Sequence, residues 1–137
     1  MRACVIDCSI TLAALFPESG SAFAVAALTD HLAGEIWVPS LWLHELASGL
    51  CVAVKRGRVP QQDADEFLDL VAHLPLKIDP PPGWKQLKRV MALAAEQGLT
   101  AYDACYLELA LRRSLPLATL DQQLRLAARS LRLEYGS

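Results

Sequence analysis

Four acidic residues stand in surroundings unlike a solvated surface. Asp7 directly follows the apolar run Ala3-Cys4-Val5-Ile6, and Asp121 directly follows the run from Leu115 to Leu120. Glu45 lies within Leu41-Trp42-Leu43-His44-Glu45-Leu46, and Asp103 within Ala101-Tyr102-Asp103-Ala104-Cys105-Tyr106. Carboxylates that converge without a cation repel one another, lose hydration at large cost, or protonate. A hard divalent cation resolves that conflict, and oxygen-only ligation suits magnesium or manganese better than zinc. Zinc is disfavoured further: Cys4, Cys8, Cys51 and Cys105 form no Cys-x-x-Cys pair, and His31, His44 and His73 are not spaced as zinc partners. The thiols read as buried and free.

Each acid also has a plainer use. Asp7 is placed to cap a helix from Ser9, and Asp121 a helix from Gln122. Asp103 falls at capping-box spacing after Thr100. Glu45 is mid-helix, beyond the reach of the helix start. Its plainer role is an acid on a solvated helix edge or one paired with a base. The functional case rests on the four together.

These residues need a scaffold that brings them to one place. Short apolar runs at Ala3–Ile6, Glu35–Pro39, Leu76–Asp79 and Leu115–Leu120 predict strands, with a possible short final strand at Leu133–Tyr135. Between them, helical patterns run Ser9–Phe16 (stopped by Pro17), Ser19–Leu32, and from a Ser40 N-cap to about Val54. Further helices are expected from Pro60 to about Leu74, Trp84 to Gln97, Thr100 to Arg113 and Gln122 to Arg132. Strands alternating with helices long enough for crossovers predict an α/β fold, a three-layer α/β/α sandwich with a mainly parallel central sheet. The strand runs are apolar on successive residues, as burial on both faces requires. Such sheets bind ligands at the carboxyl ends of their strands, where Asp7 and Asp121 fall.

The 137 residues suit one domain, 1–137, and the 53% apolar and 20% charged composition excludes disorder. A net charge of −2 excludes nucleic-acid binding by bulk positive charge. Mean hydropathy is +0.26. Yet the longest stretch free of Asp, Glu, Lys and Arg, Ser19–Thr29, is 11 residues, well short of the ~20 a spanning helix needs. Asp7 interrupts any signal-peptide core. A cytoplasmic protein without a membrane segment is expected. Lys55, Arg56 and Arg58 form the densest basic cluster, with Arg112-Arg113 next; both read first as cations at helix carboxyl ends. The acids from Asp63 to Asp69 read as a solvated face. Trp37 and Trp42 read as core or subunit-interface residues.

The four acidic segments, taken in order, resemble a known family. Val5-Ile6-Asp7-Cys8-Ser9 looks like the opening of the PIN-domain ribonucleases, and Pro39 to Glu45 resembles their second acidic position. Thr100-Ala101-Tyr102-Asp103-Ala104-Cys105-Tyr106-Leu107 is similar to the third, and Ala118-Thr119-Leu120-Asp121 to the fourth. The resemblance spans the chain, at a length typical of VapC toxins of bacterial toxin–antitoxin pairs. It implies that Asp7, Glu45, Asp103 and Asp121 form a catalytic acidic quartet cutting RNA with Mg2+ or Mn2+. Asp7, Asp103 and Asp121 are the expected metal-binding residues, although Asp103 could instead orient a water. Glu45 ligates through water or acts as base. Thr119 and Ser9 would supply hydroxyls that orient a carboxylate or a water. A VapB-type antitoxin and a homodimer are implied as well, with the apolar Ser9–Leu32 and Trp42–Val54 helices as candidate walls of a groove for the antitoxin. Ser48 stands where many relatives have Asn, and Gln123 where some carry a further acid.

Carboxylate-held cations hydrolyse phosphodiesters by acidifying water and neutralising charge on phosphoryl oxygens. This needs no nucleophilic side chain, and no Ser-His or Cys-His arrangement is evident. A non-catalytic PIN-like module that binds nucleic acid or protein is the alternative. A phosphatase-like hydrolase with Asp7 as nucleophile ranks last, because Ser9 stands where a second acid is expected.

Overall fold

Four short strands and seven helices alternate along the described residues of a computed structural model, which are 2–16 and 20–136. The strands are β1 (Ala3–Ile6), β2 (Glu35–Pro39), β3 (Leu76–Asp79) and β4 (Leu117–Ala118). They form one all-parallel sheet in the order β3-β2-β1-β4. The helices are α1 (Cys8–Leu15), α2 (Ser21–Asp30), α3 (Leu41–Lys55), α4 (Gln61–Val71), α5 (Trp84–Gln97), α6 (Ala101–Arg113) and α7 (Gln122–Ser130).

Connection handedness sets the layers. The chain steps from β1 to β2 to β3 in one direction, then returns across the sheet to β4 on the other side of β1. Right-handed crossovers place the outward helices on one face and the returning ones on the other. The packing follows: α1 contacts α2 and α3, and α3 contacts α4, while α6 packs on α5, α7 and the strands. The result is the expected α/β/α sandwich. Cys4, Val5, Ile6, Ile36, Val38, Leu117 and Ala118 are all buried, so the sheet is covered on both sides except at its edge strand β3, where Lys77 and Ile78 are exposed.

Three elements depart from the sequence expectation. The strand expected over Leu115–Leu120 pairs with β1 only at Leu117 and Ala118. Pro116 lacks an amide hydrogen for the ladder, and Thr119 leaves it for side-chain bonds described below. The expected final strand is a single parallel bridge between Leu117 and Glu134. Ser40 does not cap α3 with its side chain, because the residue already has helical dihedrals (φ −57°, ψ −31°). The Pro17 stop and the Ser19 helix start lie outside the described residues.

Trp42 is fully buried and its indole N–H donates to the Thr11 hydroxyl at 3.2 Å, tying α3 to α1. Gly34 admits no side chain: a Cβ there would lie 1.8 Å from the Arg2 carbonyl oxygen. That oxygen accepts the Glu35 amide at 2.8 Å where β1 and β2 begin. Since backbone cannot yield as a side chain does, Gly34→Ala is expected to cost about 1–3 kcal/mol. A thermal melt that matches the wild type would refute this.

Candidate active site

The strand order reverses between β1 and β4, and an open parallel sheet leaves its crevice at that reversal. Asp7 leaves β1 there as the N-cap of α1 and is 6% exposed. Its Oδ1 accepts the Ser9 hydroxyl at 2.5 Å and the Ile10 amide at 3.3 Å. Its Oδ2 accepts the Thr119 hydroxyl at 2.5 Å, across 112 residues of sequence. Thr119 Oγ1 accepts the Asp121 amide and Ser9 Oγ accepts the Leu120 amide, each at 3.0 Å. Ser9 and Thr119 thus both bond to the Asp7 carboxyl and join the ends of β1 and β4.

Asp121 is exposed and caps α7, its Oδ1 accepting the Leu124 amide at 3.1 Å. Asp103 is half-buried in the first turn of α6, where its amide donates to the Thr100 hydroxyl at 3.1 Å. Glu45 is half-buried on α3, and the Tyr106 hydroxyl donates to its Oε1. Capping therefore holds for Asp7, Asp121 and the Thr100–Asp103 pair. Among the described residues, Glu45 has no basic partner.

Electrostatics draws the acids into one field. Burial lifts the Asp7 carboxyl above the ordinary carboxylate range; its hydroxyl and amide donors oppose this, and the charge on Asp121 adds to it. Burial, then Asp121, raises Asp103 as well. Burial, then Glu45 and Asp7 together, pushes the Cys8 thiol up to about 12. Tyr106 is raised by burial, by its bond to Glu45, and by nearby charges that include Asp7. Glu45 therefore shares its neighbours Cys8 and Tyr106 with Asp7. Asp121 thus influences both Asp7 and Asp103, and Glu45 is linked to Asp7 through those shared neighbours.

Among the described residues, no Lys or Arg pairs with any of the four. Nor, among those residues, are any three His, Cys, Asp or Glu side chains gathered closely enough to hold an ion as they stand. Like charges facing one another without a counter-charge hold apart. The donor chemistry nevertheless fits a hard divalent cation: the groups are oxygen-only, and the deepest carboxyl has hydroxyl and amide donors but no basic partner. Asp7, Asp103 and Asp121 could hold it.

Sequence reasoning missed the role of Tyr106, although its place three residues after Asp103 puts both on one helical face. It also missed an ionic cluster built on two buried acids. Arg112 donates to both Asp79 oxygens, at 3.1 and 2.6 Å, and to both Glu108 oxygens, at 3.0 Å each. Arg113 lies over the Trp37 ring, 3.9 Å from its centroid. Both arginines are therefore engaged within the fold. The i, i+4 spacing of Glu108 and Arg112 was the available signal. Of the four free cysteines only Cys4 is buried; Cys51 is exposed, against the sequence expectation. Asp63, Asp65, Glu66 and Asp69 are solvated as expected, and Ser48 and Gln123 are also exposed.

Comparison with known proteins gives a consistent picture. The family model described as PIN domain matches residues 4–130. Ribonuclease VapC3 of Pyrobaculum aerophilum is 32% identical over 120 residues, covering 88% of this chain and 90% of that protein. The crystal structure of PAE2754 from Pyrobaculum aerophilum superposes with a TM-score of 0.69 at 26% identity, over 93% of this chain and 79% of that one. VapC20 of Mycobacterium tuberculosis, a toxin that cleaves the sarcin-ricin loop, has a TM-score of 0.66 at 8% identity, over 90% of this chain and 93% of that one. That last likeness concerns the fold alone.

A stability test follows from the shared field. Asp7 and Asp103 hold their protons more tightly in the folded than in the unfolded chain. Their contribution to stability is therefore complete at low pH and falls as pH rises from the ordinary value of 3.8 through their folded values. Asp121→Asn keeps a competent cap and removes the charge that repels them. In chelator, the variant should melt with the wild type near pH 4 and above it at pH 8. The gain should stay under about 1 kcal/mol because Asp121 is solvent-screened. A deficit that persists at pH 8 would show that the repulsion is negligible.

Proposed function

The chain belongs to the PIN-domain family, and on that premise we propose that it is a metal-dependent endoribonuclease, the toxin of a VapBC-type pair. The observation that carries this reading is the Asp7 carboxyl. It is buried at the switch point without a basic partner and lies within the field of a second strand-end acid. Asp7, Asp103 and Asp121 would hold Mg2+ or Mn2+. A cation held there would acidify water and neutralise charge on the scissile phosphate.

The chain's own residues do the positioning. Ser9 and Thr119 hold the two Asp7 oxygens in one orientation, and the capping amides of α1 and α7 each use only an Oδ1. The second oxygen of Asp121 accepts nothing from the described residues and remains available. Tyr106 fixes Glu45 from the opposite wall, so that its carboxylate can accept a proton from the attacking water. The acids repel an RNA phosphate until counter-charge arrives, which supports an obligate cation requirement.

Several further features belong to this reading: residues 1–137 act as one domain, the protein works in the cytoplasm, and it forms a homodimer. Among the described residues, no helix is long and apolar enough to cross a membrane. A VapB-type antitoxin would silence the enzyme. A groove of about 350 Å³ lined by Leu15, Leu28, Phe67, Leu70 and Val71 offers a seat for an apolar helix. Its walls are α1, α2 and α4; α3, the other expected wall, lines a separate small groove against α4 through Ala47, Leu50, Cys51 and Val54.

The test is direct. Purified protein should cut single-stranded RNA with Mg2+ or Mn2+ and fall silent in excess chelator. Asp7→Asn should abolish cutting while retaining a cooperative melt. Cutting by that variant, or in chelator, would overturn the proposal. An inert wild type whose melting temperature ignores both cations would favour the non-catalytic binding module. Tyr106→Phe should lower kcat roughly ten- to hundredfold with little change in KM, since it releases Glu45 without touching RNA. An unchanged kcat would exclude a positioning role for that hydroxyl.

A further inference from the structure

A cavity of about 280 Å³ opens beside the acids, over the carboxyl ends of β2 and β3. Two of the helices that carry the acids also build its walls. Leu41 lines the cavity one turn before Glu45 on α3, while Tyr102 and Cys105 line it from α6, flanking Asp103 in sequence. Tyr102 and Asp103 have Cα atoms only ~3.8 Å apart. Cys105 is raised by burial and then by Glu108 and Glu45, one acid of the cavity and one of the catalytic cluster. The cavity and the acidic crevice thus share a wall.

The lining is apolar and partly aromatic, from Pro39, Leu41, Pro82, Leu87, Met91 and Tyr102. Tyr102 and Met91 are 68% and 67% exposed at its mouth. Asp79 and Glu108 also line it, but Arg112 occupies both carboxylates and Arg89 lies 3.7 Å from Glu108. Two acids are therefore balanced by two arginines, and no Lys or Arg stands among the described residues that line the cavity. Gln86 donates to Glu108 at 3.0 Å, which leaves its own carbonyl oxygen as an acceptor. The volume lies at the small end of ligand pockets. An uncharged, planar group with N–H donors on its edge fits this chemistry, and an anion does not.

We propose that this cavity receives one unstacked base of the RNA strand whose phosphate lies at the acids, and so sets a base preference near the cut. The inference deepens the ribonuclease reading and rests on it. A base extruded from single-stranded RNA stacks on an aromatic face and offers its edge to side-chain acceptors. Tyr102, next to Asp103, is placed to supply that face.

The chain has only two methionines, Met1 and Met91, and Met91 lines the cavity. Full-length protein carrying 13C-methyl methionine therefore reports on the site through one signal. The four ribonucleoside 5′-monophosphates are titrated separately in chelator, with ribose 5-phosphate as control. At least one nucleotide should shift the Met91 methyl saturably through the ring current of its base, and the control should not. Tyr102→Ala should weaken that binding at least roughly fivefold, and Leu87→Trp, which fills the cavity, should abolish it. With cation and a randomised RNA, both variants should still cut but with a flattened base preference.

No Met91 shift with any nucleotide overturns the inference. So does an equal shift with ribose 5-phosphate, or a signal that moves only with protein concentration and marks a second copy as the occupant. Cutting without a Met91 shift removes the pocket and keeps the ribonuclease reading. A nucleotide-induced shift in a protein that cuts nothing keeps the pocket and removes the ribonuclease reading.

Discussion

The structure turns on one buried carboxyl. Asp7 ends the first strand at the place where the sheet changes direction, and donors on both sides fix it: Ser9 and Ile10 from its own helix, Thr119 from the far end of the chain. The Thr119 bond joins segments that fold into the sheet first and last in sequence. The shortness of β4, two residues long, follows from it. The chain leaves the ladder as soon as Thr119 can turn toward Asp7, and Asp121 is delivered two residues later. A longer fourth strand would carry those residues past the crevice.

Much of this architecture was legible because local signals and burial agreed. The apolar runs placed β1, β2 and β3 at their observed boundaries, and Gly98, with φ +64°, stops α5 as a left-handed C-cap. Strands apolar on successive residues fixed the parallel, doubly covered sheet. The failures came where a residue's local preference met tertiary geometry. Ser40 has the right side chain for a cap, but the backbone after Pro39 is already helical there. The run from Leu115 to Leu120 is apolar enough for a longer strand, yet the hydroxyl of Thr119 takes the chain elsewhere.

The site divides in the same way. Its acids were visible because a charged residue in an apolar run is costly and demands a reason. The groups that orient them were less visible because each is unremarkable in sequence. A tyrosine on a helix usually signals packing, and nothing local marks Tyr106 as the donor to Glu45, 61 residues away. The Arg112 cluster was hidden similarly. A basic pair at a helix end is adequately explained by the dipole, although Arg112 reaches across to Asp79 on β3 and Glu108 on its own helix. That cluster fastens α6, and with it Asp103 and Tyr106, to the edge of the sheet beyond the crevice.

Capping a helix and holding a cation are compatible uses of the same acid. A carboxylate has two oxygens, and each cap uses one. Asp121 gives Oδ1 to Leu124, and its other oxygen accepts nothing from the described residues; Asp7 gives Oδ1 to Ser9 and Ile10 and Oδ2 to Thr119, which leaves a lone pair on Oδ2. Capping fixes the direction of each carboxyl before any counter-charge arrives, so orientation is set by the fold and not by the ion. The cost of that arrangement is burial, which raises Asp7 and Asp103 above their ordinary range, with repulsion from Asp121 adding to it. A cation entering such a site would relieve stress already present in the folded chain, so binding and stability would be coupled through the same oxygens.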